Sequence, residues 1–324
     1  MKPIIVLLTT LLLNMSATAT IITVDNHYPS MGDYNNLQAA QNAANNFDTL
    51  LLTPSLVGYP STNILKPLTI IGNGYGDGTS TTLPHCIIYN PFGIDPNAAG
   101  GKICSVEING RIDIYATNFT IERCKTGQIQ LFGGSSNVLL HQNLIIAGFS
   151  IQYYNQSDAT LLNNCILSDN YFCLVNGSQI TNASITALNN IFINKQNGAF
   201  KAIELSNTNS YFANNIISPQ QSGIISSFNN IISDGSLPST NGNQLNVDLN
   251  TVFMDYANGN YHLKPGSPAI GAGLNGVDIG IYGGSTPFID GGLPPLPSIY
   301  YLDVPINGST QNGVNVTIKA KSNN

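Results

Sequence analysis

A short phrase returns through the middle of this chain: a few apolar residues, Asn or Asn-Asn, then Ile, Leu or Phe again. It reads VLLHQNLII at Val138–Ile146, TLLNNCIL at Thr160–Leu167, ALNNIFI at Ala187–Ile193, YFANNII at Tyr211–Ile217 and SFNNIIS at Ser227–Ser233. The last Asn of each copy stands at 143, 164, 190, 215 and 230, in steps of 21, 26, 25 and 15. Self-similarity at this period predicts a solenoid, whose repeats bury their apolar faces against their neighbours. Charged residues make up only 9% of the 324, which suits repeated strand–turn units better than Glu- and Lys-rich helices.

Each repeat divides into three short strands. The first is Arg111–Tyr115, Gln128–Phe132, Ser150–Tyr154, Phe172–Val175 and Lys201–Leu205 in successive repeats. The second approaches the Asn, and the third is the apolar run after it. This pattern predicts an all-β fold, a single right-handed parallel β-helix over residues 20–290. The recurring Asn would occupy one turn and stack as a ladder of amides. A helix over Tyr34–Phe47 caps one end, where open strand edges would otherwise aggregate. Gly259–Gly273 and Asp278–Gly284 read as the last coil closing. Residues 291–324 read as a Pro-rich joint and a strand cap, with strands at Ile299–Val304 and Val314–Ala320.

Lys2, the apolar run Ile4–Leu13 and Ala17-Thr18-Ala19 have the form of an export signal over residues 1–19, so a secreted or cell-surface protein is expected. The run is too short to span a bilayer, and no membrane span is expected elsewhere. A net charge of −6 without a basic stripe argues against nucleic acid as a partner, and a monomer is expected. The five cysteines, at 86, 104, 124, 165 and 173, form no CxxC. A buried ladder of thiols is the preferred reading over disulfides between adjacent coils.

LQAAQNAANNFDTLLLTP followed by LTIIGNG resembles the entry segment of pectate-lyase-like, right-handed parallel β-helix proteins. NYHLKPGSPAIGAG with DIGIYGG is similar to the closing segment of secreted bacterial members. The likeness spans most of residues 34–284. It implies the fold and export, while the superfamily's activities range from polysaccharide lyases and hydrolases to adhesins.

Charge is concentrated in one stretch: Lys102, Glu107, Arg111, Asp113, Glu122, Arg123 and Lys125. If Ile112 and Ile114 point inward, Arg111, Asp113 and Tyr115 point out. The next coil then exposes Gln128, Gln130 and Phe132, and the one after it Ser150, Gln152 and Tyr154. Stacked in register these make columns Arg–Gln–Ser, Asp–Gln–Gln and Tyr–Phe–Tyr, a surface suited to polysaccharide. For a lyase acting on an acidic glycan, Arg111, Arg123 or Lys125 is the candidate base, and Glu107, Asp113 or Glu122 the candidate Ca²⁺ ligand. The competing reading is a non-catalytic structural or adhesive solenoid whose charges merely pair. No HExxH, no G-x-S-x-G and no recognisable pair of catalytic acids occurs.

Overall fold

The computed structural model describes residues 19–76, 84–132, 134–152, 159–163, 166–167, 172–174, 183–193, 203–205, 208–218, 221–222, 224, 226–305 and 313–323. Residues 1–18 of the expected export signal lie outside these, as do Tyr154, Asn164 and Cys165. Strand accounts for 38% and helix for 9%, so the protein is mostly β, and its large sheets are parallel. Among the described residues no helix is long and apolar enough to cross a membrane.

Among those residues, ten strands form the first sheet in strict chain order. It runs from Ile21–Val24 through Thr49–Leu52, Thr69–Ile71, Lys102–Cys104, Thr120–Glu122 and Val138–His141 to Ser226–Phe228. A second sheet holds Ile87–Tyr89, Glu107–Ile114, Lys125–Phe132 and Leu144–Gln152, and continues to Ile231–Ile232. A third, smaller sheet joins Phe172–Leu174, Ile203–Leu205 and Gln221–Ser222. Register puts like beside like. Leu50, Ile70, Ile103, Ile121 and Leu140 are successive partners and all are fully buried. Each contributes about 1.5–3 kcal/mol by leaving water.

The helix is shorter than expected, Leu37–Ala43, because Asn36 caps it by accepting from the Ala39 N–H and Ala44 is already extended. Lys66 Nζ donates to the carbonyls of Gln41, Asn42 and Ala44 at its far end. The strands expected at 111–115 and 128–132 are the far halves of longer strands, each bent at a register irregularity. At one bend Gly110 has φ 128°, and a Cβ there would lie 1.5 Å from Asn90 Nδ2, so only glycine fits.

The recurring Asn occupies the corner between the first and second sheets, and its two positions do different work. In the copies described, the second residue of the pair points inward. Asn143 Oδ1 accepts from the Cys124 N–H (2.9 Å) and its Nδ2 donates to Ile121 O (2.7 Å). Asn190 donates to Asn215 Oδ1 from its backbone N (2.9 Å) and Nδ2 (3.0 Å). Asn215 does the same to Asn230, and Asn230 to Asn243. Asn143, Asn190, Asn215 and Asn230 are fully buried, so this ladder satisfies backbone groups that water cannot reach.

The first residue of each pair is left-handed. Arg123, Gln142, Asn189, Asn214 and Asn229 have φ between 48° and 57°. Their side chains grip a segment that returns along the outside of the sheets. Asn229 donates to Ala272 O and Asn189 to Asp278 O, while Asn214 Oδ1 accepts from the Leu274 N–H; Gln244, which follows the ladder residue Asn243, donates to Pro268 O in the same way. Gln142 donates to Thr286 O, and Arg123 to Leu293 O. As the contacts on the sheets step back from 244 to 123, those on the returning segment advance from 268 to 293. Among the described residues, 259–284 add no strand to the large sheets and run back along the corner as a strap, held by these side chains and by the Gly280 N–H donating to Asn214 O (2.8 Å).

Candidate functional site

The charged stretch is built as an alternation on neighbouring strands. Ile112 and Ile114 are fully buried, and Arg111, Asp113 and Tyr115 lie on the outward side. Arg111 partners Gln128 and Asp113 partners Gln130, as the columns require. The third member of each column differs. Gln128 partners Gly148, Gln130 partners Ser150, and Phe132 partners Gln152, a slip of two residues. Between Ile145 and Gly148 the strand carries one more residue than between Thr126 and Gln128, and that excess resets the register while preserving which face each residue takes.

Three members of this surface are poorly placed for a glycan. Gln130 is only 3% exposed. Tyr115 and Phe132 stack on each other at 4.5 Å and 13°, which occupies the ring faces that a sugar would need.

The cations are already engaged. Arg111 Nη2 donates to Asp113 Oδ2 (2.9 Å). Lys102 pairs with Glu122, and Lys125 Nζ lies 3.0 Å from Glu107 Oε1, with His85 Nε2 2.9 Å from the other oxygen. Burial works to raise the Glu122 carboxyl, but hydrogen bonds from His141 and Lys102 outweigh it and hold it at about 2. The expected Ca²⁺ ligands do not suit the ion. Glu107 and Asp113 lie on the second sheet, Glu122 lies on the first, and each carboxylate is spent on its own cation.

Arg123 leaves the set of candidate bases. Its side chain is 7% exposed. Its Nε donates to Gln142 Oε1 (2.6 Å), and one terminal nitrogen donates to Leu293 O and Asn323 O, both at 3.0 Å. It is a clamp on the strap, not a group facing substrate.

Lys125 has a different setting. Where the strap crosses the second sheet it leaves a cleft of about 690 Å³, lined by Lys125, Tyr75, Asn258, Asn260, His262, Tyr282 and Asp290 among others. The Tyr282 hydroxyl donates to Asp290 Oδ1 (2.8 Å). His262 Nε2 lies 3.2 Å from Asp290 Oδ2 and 3.1 Å from the Tyr282 oxygen, with the two rings stacked at 4.2 Å. With the phenol proton turned to Asp290, both neighbours of Nε2 are acceptors. Nε2 is therefore the donor nitrogen, and the tautomer so fixed has its lone pair on Nδ1. Burial, then the Asp290 carboxylate, pushes the Tyr282 phenol well above its ordinary range, so it stays a donor. His262 and Asp290 are each 54% exposed, so solvent and solute reach them.

No protein-family profile matches this chain, and no curated protein matches it. Sequence reasoning passed over His262 because its partners lie 20 and 28 residues away and meet it only through the turns of the strap. The signal available was an exposed-strand His in NYHL with Tyr and Asp in the same C-terminal stretch, which spacing does not distinguish from ordinary turn residues.

Proposed function

We propose that this is an exported, single-domain right-handed parallel β-helix that binds extracellular polysaccharide in the strap cleft and cleaves an acidic glycan there by β-elimination. The helical winding is supported by the strict chain order of the parallel strands, the alternation between sheets and the Asn ladder at one corner. The activity rests on one observation: a cation, Lys125, and a carboxylate-held histidine, His262, line the same solvent-reached cleft.

Lys125 has three donors and spends one on Glu107, leaving others for a uronate carboxylate. Neutralising that carboxylate acidifies the proton on the adjacent carbon. His262 Nδ1 accepts this proton while Asp290 stabilises the imidazolium through Nε2. The electron pair forms a carbon–carbon double bond as the glycosidic C–O bond breaks, and water protonates the leaving oxygen. Arg111 and Gln128, further along the same sheet, would hold more distant sugar hydroxyls. Hydrolysis is the weaker reading, since Asp290 is the sole carboxylate among the lining residues and that chemistry needs two.

The test is binding of the mature chain to polygalacturonate, alginate and hyaluronate, with product followed by the ultraviolet absorbance of unsaturated uronates. His262→Ala should lower turnover by about 100-fold or more with binding retained, and Lys125→Ala should weaken binding. Binding without unsaturated product removes the cleavage step. Absence of binding to any glycan removes the whole reading. It would leave the rigid structural solenoid, which the pairing of Lys102, Arg111 and Lys125 with carboxylates favours.

A further inference from the structure

The C-terminal ribbon is independent of the cleft. Ser298–Asp303 and Thr317–Lys321 pair antiparallel, and neither pairs with any other strand among the described residues. It follows a joint containing Pro294, Pro295 and Pro297 and is tied to the body at its base, where Arg123 donates to Asn323 O and Asn323 Nδ2 donates to Leu296 O. A two-stranded ribbon standing free in water is marginal.

The register sorts its residues by face. Leu302 partners Ile318, and Ile299 partners Ala320 because an irregularity between Ile299 and Tyr301 inserts one residue. Without it, Ile299 would fall on the opposite side. Alternation adds Val304, Val314 and Val316 to the same side. The other side carries Tyr301, Asp303, Thr317, Lys319 and Lys321, with the Lys319 ammonium 4.8 Å from the Tyr301 ring centre. The ribbon is thus aliphatic on one face and polar on the other. Its aliphatic residues are bare: Ile299 is 62% exposed, Leu302 60% and Ile318 57%. With Val304, Val314 and Val316 they present roughly 600 Å² of apolar surface, the upper end of what a monomer leaves open.

We propose that this face packs against the same face of a second copy, making a two-layer, four-stranded dimerisation module at the C-terminal end. Three features favour a second copy over another partner. The face contains no charge, so a two-fold stacking brings no like charges together; Lys319 and Lys321 stay outside. Its described residues are all aliphatic and so match themselves without directional partners. Two copies would bury about 1,200 Å², the threshold of a specific interface, which fits a dimer that forms at micromolar concentration. A dimer departs from the monomer expected from the sequence, and the oligomeric state decides between them.

Sedimentation equilibrium of the mature chain tests it. The wild type should dimerise on the order of 10 µM. Ile318→Asp should weaken dimerisation by at least about 100-fold, while Thr317→Asp on the polar face leaves it within threefold. Leu302→Asp and Leu302→Lys should each be monomeric and should form a 1:1 dimer when mixed, which also shows that the ribbon still folds. A wild type that stays monomeric, or an Ile318→Asp chain that still dimerises, overturns the proposal. So does a wild type that stays monomeric yet binds phosphatidylcholine vesicles, since a lipid surface would then be the occupant.

Discussion

Replacing Arg123 with Ala separates a clamp from a catalytic base. The guanidinium reaches across 170 residues to Leu293 O and 200 residues to Asn323 O, both at 3.0 Å, and holds Gln142 at 2.6 Å. Hydrogen bonds to a charged group contribute about 1.5–3 kcal/mol each, so losing the two that reach the C-terminal segment should cost that segment about 3–6 kcal/mol. Arg and Ala carry the same penalty at φ 52°, so the backbone cancels from the comparison. Even the lower figure corresponds to local opening roughly 100-fold more frequent.

Amide hydrogen exchange reads this directly. The Tyr75 N–H donates to Gly291 O (2.8 Å) across to the strap, so it reports strap docking. It should exchange about 100-fold faster in the variant, while the Leu139 N–H, bonded to Phe119 O inside the first sheet, keeps its wild-type rate. Exchange at Tyr75 within threefold of wild type would refute the clamp.

Asn215→Ala removes the groups that serve the Asn190 N–H and Ala187 O, so it should destabilise by about 2–6 kcal/mol in urea unfolding. A loss below about 1 kcal/mol contradicts the ladder. At Asn214, φ 57° makes Gly the tolerated replacement for the backbone and Ala the costlier one by about 1 kcal/mol, a difference read from the same unfolding curves. The Glu122 carboxyl is held at about 2 in the folded chain against 4.5 when free. Its stabilisation is therefore complete above pH 4.5 and is lost as pH falls through 2, amounting to about 3 kcal/mol. Glu122→Gln should flatten that limb of the pH–stability curve, and an unchanged limb would rule the pair out. Burial pushes the Cys86 thiol up to about 12 and raises Cys104 and Cys124 as well. These three thiols are free and should resist alkylation at pH 8 until the chain is unfolded; labelling of the folded protein at any of them would contradict the burial.

The legible part of the chain was what each residue imposes on its own surroundings. Apolar alternation at Ile112 and Ile114 marked the inward face, and the recurring Asn marked the corner. What the repeat did not disclose is that the two Asn positions divide the labour. Both tolerate a tight turn, so the sequence offers nothing to tell the inward ladder residue from the outward clamp. Arg123 precedes Cys124 and not Asn, so the motif did not mark it as a corner residue. The columns slipped by two because Gln128 pairs with Gly148 and not with Ser150, and a period-2 pattern is blind to a shift of two.

The amino-acid sequence by itself determined the strands, the corners and the burial of aliphatic side chains, because φ/ψ preference and periodicity act over a few residues. Only the tertiary structure decided that residues 264–293 run back along the corner amides, that Arg123 holds them, and that Lys125, His262, Tyr282 and Asp290 line one cleft. Those meetings join positions 20 to 200 residues apart through a reversal of the chain. No local preference encodes them, and they exist because outward hydrogen-bonding groups at successive corners find the same passing backbone.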